Sequence, residues 1–196
     1  MASQTRARRA AAPARRAPAR RAPAGKAPVP GKIKIIFLDL DGTLTDGVVG
    51  YDTSGDFRNF HVRDGLSLEW AKGLGMLPVV ISGRASRAGE LRMKDLGLEH
   101  YLGERDKVAV AERVRTREGI AWHECAMIGD DLPDVALMER VGWRIAVADA
   151  VDEVRSRAHT ITRTAAGRGA VREAVEMLLR HNGVWKRVLE RYEVRS

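Results

Sequence analysis

Between Lys34 and Gly47 the chain reads Lys-Ile-Ile-Phe-Leu-Asp-Leu-Asp-Gly-Thr-Leu-Thr-Asp-Gly. The apolar opening of this run predicts a buried strand over 33–39. The strand ends at two aspartates two positions apart, and period-two geometry points Asp39 and Asp41 to the same side of an extended chain. Carboxylates that close repel one another, and burying them is costly unless a cation or a proton is shared. A purely structural strand end gains nothing from that cost. A site that holds Mg²⁺ and attacks phosphorus does.

The rest of the chain tells where such a site would sit. From Lys32 onward apolar strands and helical segments alternate, which implies α/β architecture with a doubly wound parallel sheet. The first strand is followed by a β-hairpin, with Val48-Val49-Gly50-Tyr51 and Phe57-Arg58-Asn59-Phe60-His61-Val62 on either side of Asp52-Thr53-Ser54-Gly55. Helices are expected near 65–74, 86–96, from Lys107, over 133–141 and 150–157, and within 168–193. Further strands are expected at 77–81, 100–102, 124–128, 144–147 and 159–161.

Three of the apolar strands end in polar groups: Asp39 with Asp41, then Ser82, then Asp130 with Asp131. Ligands of open α/β sheets bind outside the carboxyl ends of the strands, so these groups converge on one edge. Lys107, at a helix start, reaches the same edge. Carboxylates and water suit Mg²⁺, Ser82 can donate a hydrogen bond to phosphate, and Lys107 supplies positive charge to a transferring phosphoryl group.

Charge and composition remove other classes. Of 34 basic residues, eight (Arg6, Arg8, Arg9, Arg15, Arg16, Arg20, Arg21 and Lys26) lie in residues 1–31, which hold no acid. The 26 that remain balance the 26 acids, so the net charge of +8 belongs to this Ala/Arg/Pro-rich stretch and nucleic acid is not an expected partner of the body. The stretch is expected to be a disordered basic tail, and 32–196 a single domain. One cysteine, Cys125, excludes an internal disulfide and a multi-cysteine metal site. No apolar run reaches membrane-spanning length and no secretory signal is evident, so a cytoplasmic protein is expected. Trp70, Trp122, Trp143 and Trp185 read as packing residues, and the histidines at 100, 123, 159 and 181 lack metal-ligand spacing.

Asp39-Leu40-Asp41-Gly42-Thr43, Ser82, Lys107 and Gly129-Asp130-Asp131-Leu132-Pro133-Asp134 resemble, in order and strand context, the four motifs of the haloacid dehalogenase-like (HAD) phosphatases. The resemblance implies that Asp39 is the nucleophile and Asp41 the general acid and base. It further implies that Asp39, the backbone carbonyl of Asp41 and Asp130 hold Mg²⁺, that Ser82, Gly83 and Lys107 bind phosphate, and that Asp131 and Asp134 orient groups around the metal. The gaps between motifs have room for the hairpin, single helices and a short strand, and none for a cap domain.

A finer resemblance rests on Leu44-Thr45-Asp46-Gly47, Phe60-His61-Val62-Arg63-Asp64-Gly65, Ser82-Gly83-Arg84, Val147-Ala148-Asp149-Ala150 and Gly167-Arg168-Gly169-Ala170-Val171-Arg172-Glu173. These are similar to the 3-deoxy-D-manno-octulosonate 8-phosphate (KDO 8-phosphate) phosphatases over about residues 33–180. The resemblance implies hydrolysis of that sugar-acid phosphate on the way to lipopolysaccharide precursors, by a homotetramer whose neighbouring subunits complete each site. It implies substrate contacts from Asp41, His61, Val62, Arg63, Asp64, Gly65, Arg84 and Arg92. His61 stands where the family often has Asn, and Glu69 where it often has Arg. Two competing readings are a phosphatase for nine-carbon sugar-acid 9-phosphates and a phospho-acceptor domain of the receiver type. Arg84 after the glycine of the second motif favours the eight-carbon substrate over the first. The position of the acid pair on the first strand, with further acids on a later one, fits the second poorly.

Overall fold

In a computed structural model the described residues are 31–53 and 55–195. Residues 1–30 of the expected tail, Ser54 and Ser196 lie outside them.

Six parallel strands form one sheet in the order β5-β4-β1-β6-β7-β8. They are β1 (Ile35–Leu38), β4 (Leu77–Ser82), β5 (Glu99–Leu102), β6 (Cys125–Gly129), β7 (Trp143–Ala146) and β8 (Thr160–Ile161). The two remaining strands, β2 (Gly50–Asp52) and β3 (Gly55–Phe57), pair antiparallel as the separate hairpin. The helices are α1 (Val62–Gly73), α2 (Arg87–Asp95), α3 (Lys107–Arg117), α4 (Leu132–Met138), α5 (Asp152–Arg155), α6 (Ala170–His181) and α7 (Trp185–Arg191). Among the described residues no cap domain intervenes between β1 and β4 or between β4 and α3.

The three central strands are apolar runs because helices cover both faces of the sheet. Every residue of β1 and of β6 is buried. Packing of α1 on α6 forms one side, and α3, α4 and α5 pack in sequence on the other. The apolar residues of α6 (Ala170, Val171, Ala174, Val175, Leu178 and Leu179) recur with helical period and are all buried. Beyond α6, Asn182 both accepts from the amide of Ile33 at 2.9 Å and donates to its carbonyl at 2.7 Å, tying the chain before β1 to the end of the helix.

The sheet begins on its central strand. The chain winds outward from β1 through β4 to β5, returns to place β6 on the other side of β1, and winds outward again. The winding direction reverses between β1 and β6, which is where an open α/β sheet leaves a crevice. Register puts the key strand ends level, since Leu38 pairs with Val80 on one side and with Ile128 on the other. Asp39, Ser82 and Asp130 therefore emerge from adjacent strands at one edge.

Boundaries differ from the sequence expectation in two instructive places. The hairpin strands are short, because Phe60 leaves the hairpin to bridge Thr45. Helix α1 then starts at Val62 rather than near 65, with Asp64 in its first turn. An acid in that position is stabilised by the amino-terminal end of a helix.

Candidate active site

After β1 the chain makes a wide turn over Leu40–Leu44, closed by the Thr45 amide donating to the Leu40 carbonyl at 3.1 Å. Gly42 sits at φ +88°, a conformation that L side chains rarely adopt. A Cβ there would also lie 2.2 Å from Asp130 Oδ2. The glycine thus does two things: it turns the loop, and it lets a carboxylate from β6 lie against the backbone that follows β1. Thr43 donates to Asp130 Oδ1 at 2.8 Å and fixes that carboxylate.

Lys107, buried at the start of α3, donates to Asp39 Oδ1 and to Asp134 Oδ1, both at 2.6 Å. The other oxygen of Asp134 accepts from the backbone amides of Asp130, at 2.9 Å, and Asp131, at 3.3 Å. Both oxygens of Asp134 are therefore engaged in holding Lys107 and the loop after β6. A Cβ on Gly129 would lie 2.3 Å from Asp134 Oδ2, so this fold-back also needs a glycine. Asp131 is exposed and caps α4 by accepting from the Leu132 amide at 2.7 Å.

Asp39, Asp130 and Asp134 each offer an oxygen within 4.8 Å of the others. Burial, with Asp134 adding and Lys107 opposing, raises the Asp39 carboxyl to about 6. Burial, then Asp39 and Asp134, raises Asp130 to about 8. Burial alone would pull Lys107 down, yet Asp134 and Asp39 together hold it above its ordinary value. Three acids face a single ammonium, a deficit of two charges that a divalent cation closes. With Asp134 already committed, Asp39 and Asp130 are the side chains left to hold it. An all-oxygen donor set fits Mg²⁺.

Asp41 lies beyond this cluster, toward the hairpin. Arg58 donates through Nε to Asp41 Oδ1 at 2.5 Å and through Nη2 to Oδ2 at 3.3 Å. Its Nη1 donates to Asp56 Oδ2. Sequence reasoning assigned neither Arg58 nor Asp56 to the site. The available signal was a charged residue between Phe57 and Phe60, two aromatic positions of one hairpin arm. Arg84 approaches from the loop after β4, with Nε 3.8 Å from Asp41 Oδ2 and Nη1 donating to the Tyr51 hydroxyl at 3.5 Å. The buried Ser82 hydroxyl accepts from the Arg84 amide at 3.2 Å, and Gly83 is open to solvent.

The segment 61–65 divides between exposed residues and framework. Val62 and Arg63 are exposed, and His61 is half-buried beside Gly169. Asp64, expected to contact substrate, is instead 1% exposed and accepts from the Arg172 amide at 2.7 Å. Burial raises its carboxyl against that hydrogen bond. It caps the start of α6 and presents no surface to a ligand. Gly65 is likewise buried, and its missing side chain makes room for Arg92, whose Nη2 would lie 2.4 Å from a Cβ there. Arg92 pairs with Asp95 at 2.6 Å. Trp70 is a packing residue, edge-on to Trp185 and Tyr192 with the Arg172 guanidinium 4.0 Å above its ring. Cys125 is buried, and burial pushes its thiol up to about 12.

A family model described as haloacid dehalogenase-like hydrolase matches residues 103–175. The 3-deoxy-D-manno-octulosonate 8-phosphate phosphatase KdsC of Escherichia coli K12 is 38% identical over 153 residues, 77% of this chain and 81% of that protein. The 3-deoxy-D-manno-octulosonate 8-phosphate phosphatase of Moraxella catarrhalis, solved with magnesium, phosphate and KDO, superposes with a TM-score of 0.79. It is 33% identical, covering 82% of this chain and 94% of that one. The Yersinia pestis phosphatase of the same name gives a TM-score of 0.77 at 32% identity, covering 79% of this chain and 85% of that one.

Proposed function

The chain belongs to the 3-deoxy-D-manno-octulosonate 8-phosphate phosphatases, and from that membership we infer that it hydrolyses KDO 8-phosphate to KDO and inorganic phosphate with Mg²⁺. The observation that carries this reading is the buried Lys107 bridging Asp39 and Asp134, with Asp130 alongside and the cluster two positive charges short. Asp39, the Asp41 carbonyl and Asp130 would hold Mg²⁺, which would supply charge neutralisation to the phosphate oxygens.

The chain's own groups perform two displacements. A carboxylate oxygen of Asp39 bonds to phosphorus as the bond from phosphorus to the sugar oxygen breaks, and Asp41 gives its proton to the departing alcohol. Water then attacks the aspartyl-phosphate. Asp41 takes a proton from that water, and the bond between Asp39 and phosphorus breaks to release phosphate. Lys107 steadies Asp39 and offsets charge on the phosphoryl oxygens, while Ser82 and Gly83 bind the phosphate from the neighbouring strand. Arg84, beside Asp41 and exposed, meets the substrate's carboxylate and hydroxyls. His61, Val62, Arg63 and Arg92 serve as further substrate contacts.

The enzyme works as a homotetramer in the cytoplasm. Supporting the assembly, Val48, Tyr51, Phe57 and Val62 are 65%, 70%, 50% and 75% exposed along the hairpin and the start of α1. Apolar surface gathered in one place marks an interaction site, and a capless site needs such a neighbour to exclude water. Supporting the location, no described helix is long and apolar enough to cross a membrane.

The test is turnover of a panel containing KDO 8-phosphate, a nine-carbon sugar-acid 9-phosphate and 4-nitrophenyl phosphate, with light scattering on the same sample. KDO 8-phosphate is expected to have the highest kcat/KM. Preference for the nine-carbon acid refutes the substrate, and a fully active monomer refutes the assembly.

A further inference from the structure

The hairpin contains a buried guanidinium that the phosphatase mechanism above does not use. The Arg58 side chain has no exposure to solvent. It lies between two carboxylates, spanning both oxygens of Asp41 and also binding Asp56. Asp56 in turn accepts from the Ser86 hydroxyl at 2.8 Å and from the Arg87 amide at 3.1 Å. Ser86 caps α2 by accepting from the Gly89 amide at 2.8 Å. An unbroken chain of charge-assisted hydrogen bonds thus runs from Asp41 through the hairpin to the amino-terminal end of α2. That end follows directly on the loop bearing Ser82, Gly83 and Arg84.

Geometry distinguishes this from a surface ion pair. A buried guanidinium must have partners on most of its donors, and its planar fork fixes the plane of any carboxylate it spans. Asp41 lies inside the Leu40–Leu44 turn, one residue before the left-handed Gly42, and Arg58 spans both of its carboxylate oxygens. Proton delivery to a leaving oxygen demands placement within hydrogen-bond reach.

We propose that Arg58 is a positioning residue for Asp41, with Asp56 anchoring Arg58 to α2 so that hairpin, carboxylate and phosphate-binding loop move as one body. This rests on the roles of Asp39 and Asp41 given above. The consequence is specific to the leaving group. A poor leaving group such as the primary alcohol of a sugar phosphate needs a well-placed acid. A nitrophenolate leaves with little help. Loss of Arg58 therefore impairs the first far more than the second, while nucleophile and cation site stay intact.

The experiment measures kcat and KM for KDO 8-phosphate and 4-nitrophenyl phosphate with wild type, Arg58→Ala, Arg58→Lys and Asp56→Asn in the full chain with Mg²⁺. Arg58→Ala is expected to lower kcat on the sugar phosphate about 100-fold, within the range that general acid catalysis contributes. The aryl phosphate should lose less than about 5-fold on the same reasoning. Arg58→Lys keeps the charge without the fork, and Asp56→Asn removes the charge and one of the two oxygens that accept from α2. Both should show the same bias at smaller size. Equal losses on the two substrates, a loss confined to KM, or an Arg58→Lys enzyme equal to wild type each overturn the proposal. Failure of both Arg58 variants to fold overturns it as well, by reducing Arg58 to a brace. Wild type inert toward both phosphates would instead sink the phosphatase reading itself.

Discussion

Replacing Asp130 by Asn should make the metal-free protein more stable while disabling it. The Asp130 carboxyl is raised from 3.8 to about 8, first by burial and then by Asp39 and Asp134. The folded protein thus keeps a proton that the unfolded chain gives up near pH 4. Stability linked to this group is fully present below about pH 4 and is lost as pH rises toward about 8. If Asp130 acted alone, the loss would be about 5 kcal/mol at pH 8. Two things reduce it. Asp39 shares the repulsion and takes up part of the proton binding, and Asp130 is partly open to water. A gain of about 2 kcal/mol on substitution is the expectation, because Asn abolishes the charge yet still accepts from Thr43. For a chain of this size that is roughly 4–8 °C in Tm.

The assay is thermal unfolding after chelation, at pH 5 and pH 8, with and without millimolar Mg²⁺. At pH 5, about one unit above the unfolded carboxyl, only the first part of the loss has accrued, and the variant should lead wild type by little. At pH 8 the variant should melt higher. Added Mg²⁺ should then raise wild type, because a ligand bound only by the folded state stabilises it, and should leave the variant nearly unmoved. Equal melting at pH 8 without metal, or the same gain at both pH values, would refute the claim that these carboxylates are held together against their own repulsion.

Three further outcomes follow from the same geometry. Asp41→Asn should accumulate phosphoenzyme from 4-nitrophenyl phosphate, seen by mass spectrometry after rapid quench, because the attacking water lacks its base; clearance at the wild-type rate counts against it. Gly42→Ala should cost about 1–2 kcal/mol for the left-handed backbone alone. It should also weaken Mg²⁺ binding by displacing Asp130, and unchanged affinity by calorimetry would contradict that close approach. Arg84→Ala should lower kcat/KM for KDO 8-phosphate at least about 10-fold more than for 4-nitrophenyl phosphate, consistent with a lost charge-assisted contact. Equal losses would remove Arg84 from substrate selection.

What could be read beforehand was what local pattern controls. The apolar run ending at Asp39, the strand ending at Ser82 and the one ending at Asp130 revealed the sheet edge, because strands buried on both faces stop where polar groups begin. Lys107 was legible as a helix start next to that edge. Arg58 was not, because its partners are fixed by how the hairpin folds over the turn after β1, 17 residues from Asp41. Asp64 was misread for a related reason. A carboxylate beside candidate substrate-binding residues looks available, and only the docking of α6 reveals that Arg172 has claimed it. The early start of α1 belongs with these, since Phe60 leaves the hairpin to pair with Thr45.

The cap that Asp64 places on α6 bears on how the protein is made. Its partner amide lies 108 residues downstream. At bacterial or eukaryotic elongation rates that separation is on the order of 5–20 s of synthesis. Throughout that interval α1 has emerged with its buried face, Leu68, Trp70 and Ala71, and with a carboxylate that has no helix to cap. The nascent chain therefore carries an adhesive surface until nearly its last residues appear, and shielding by a chaperone matters most during that wait. Ribosome stalling between Gly73 and Ala170 should be the most hazardous for solubility.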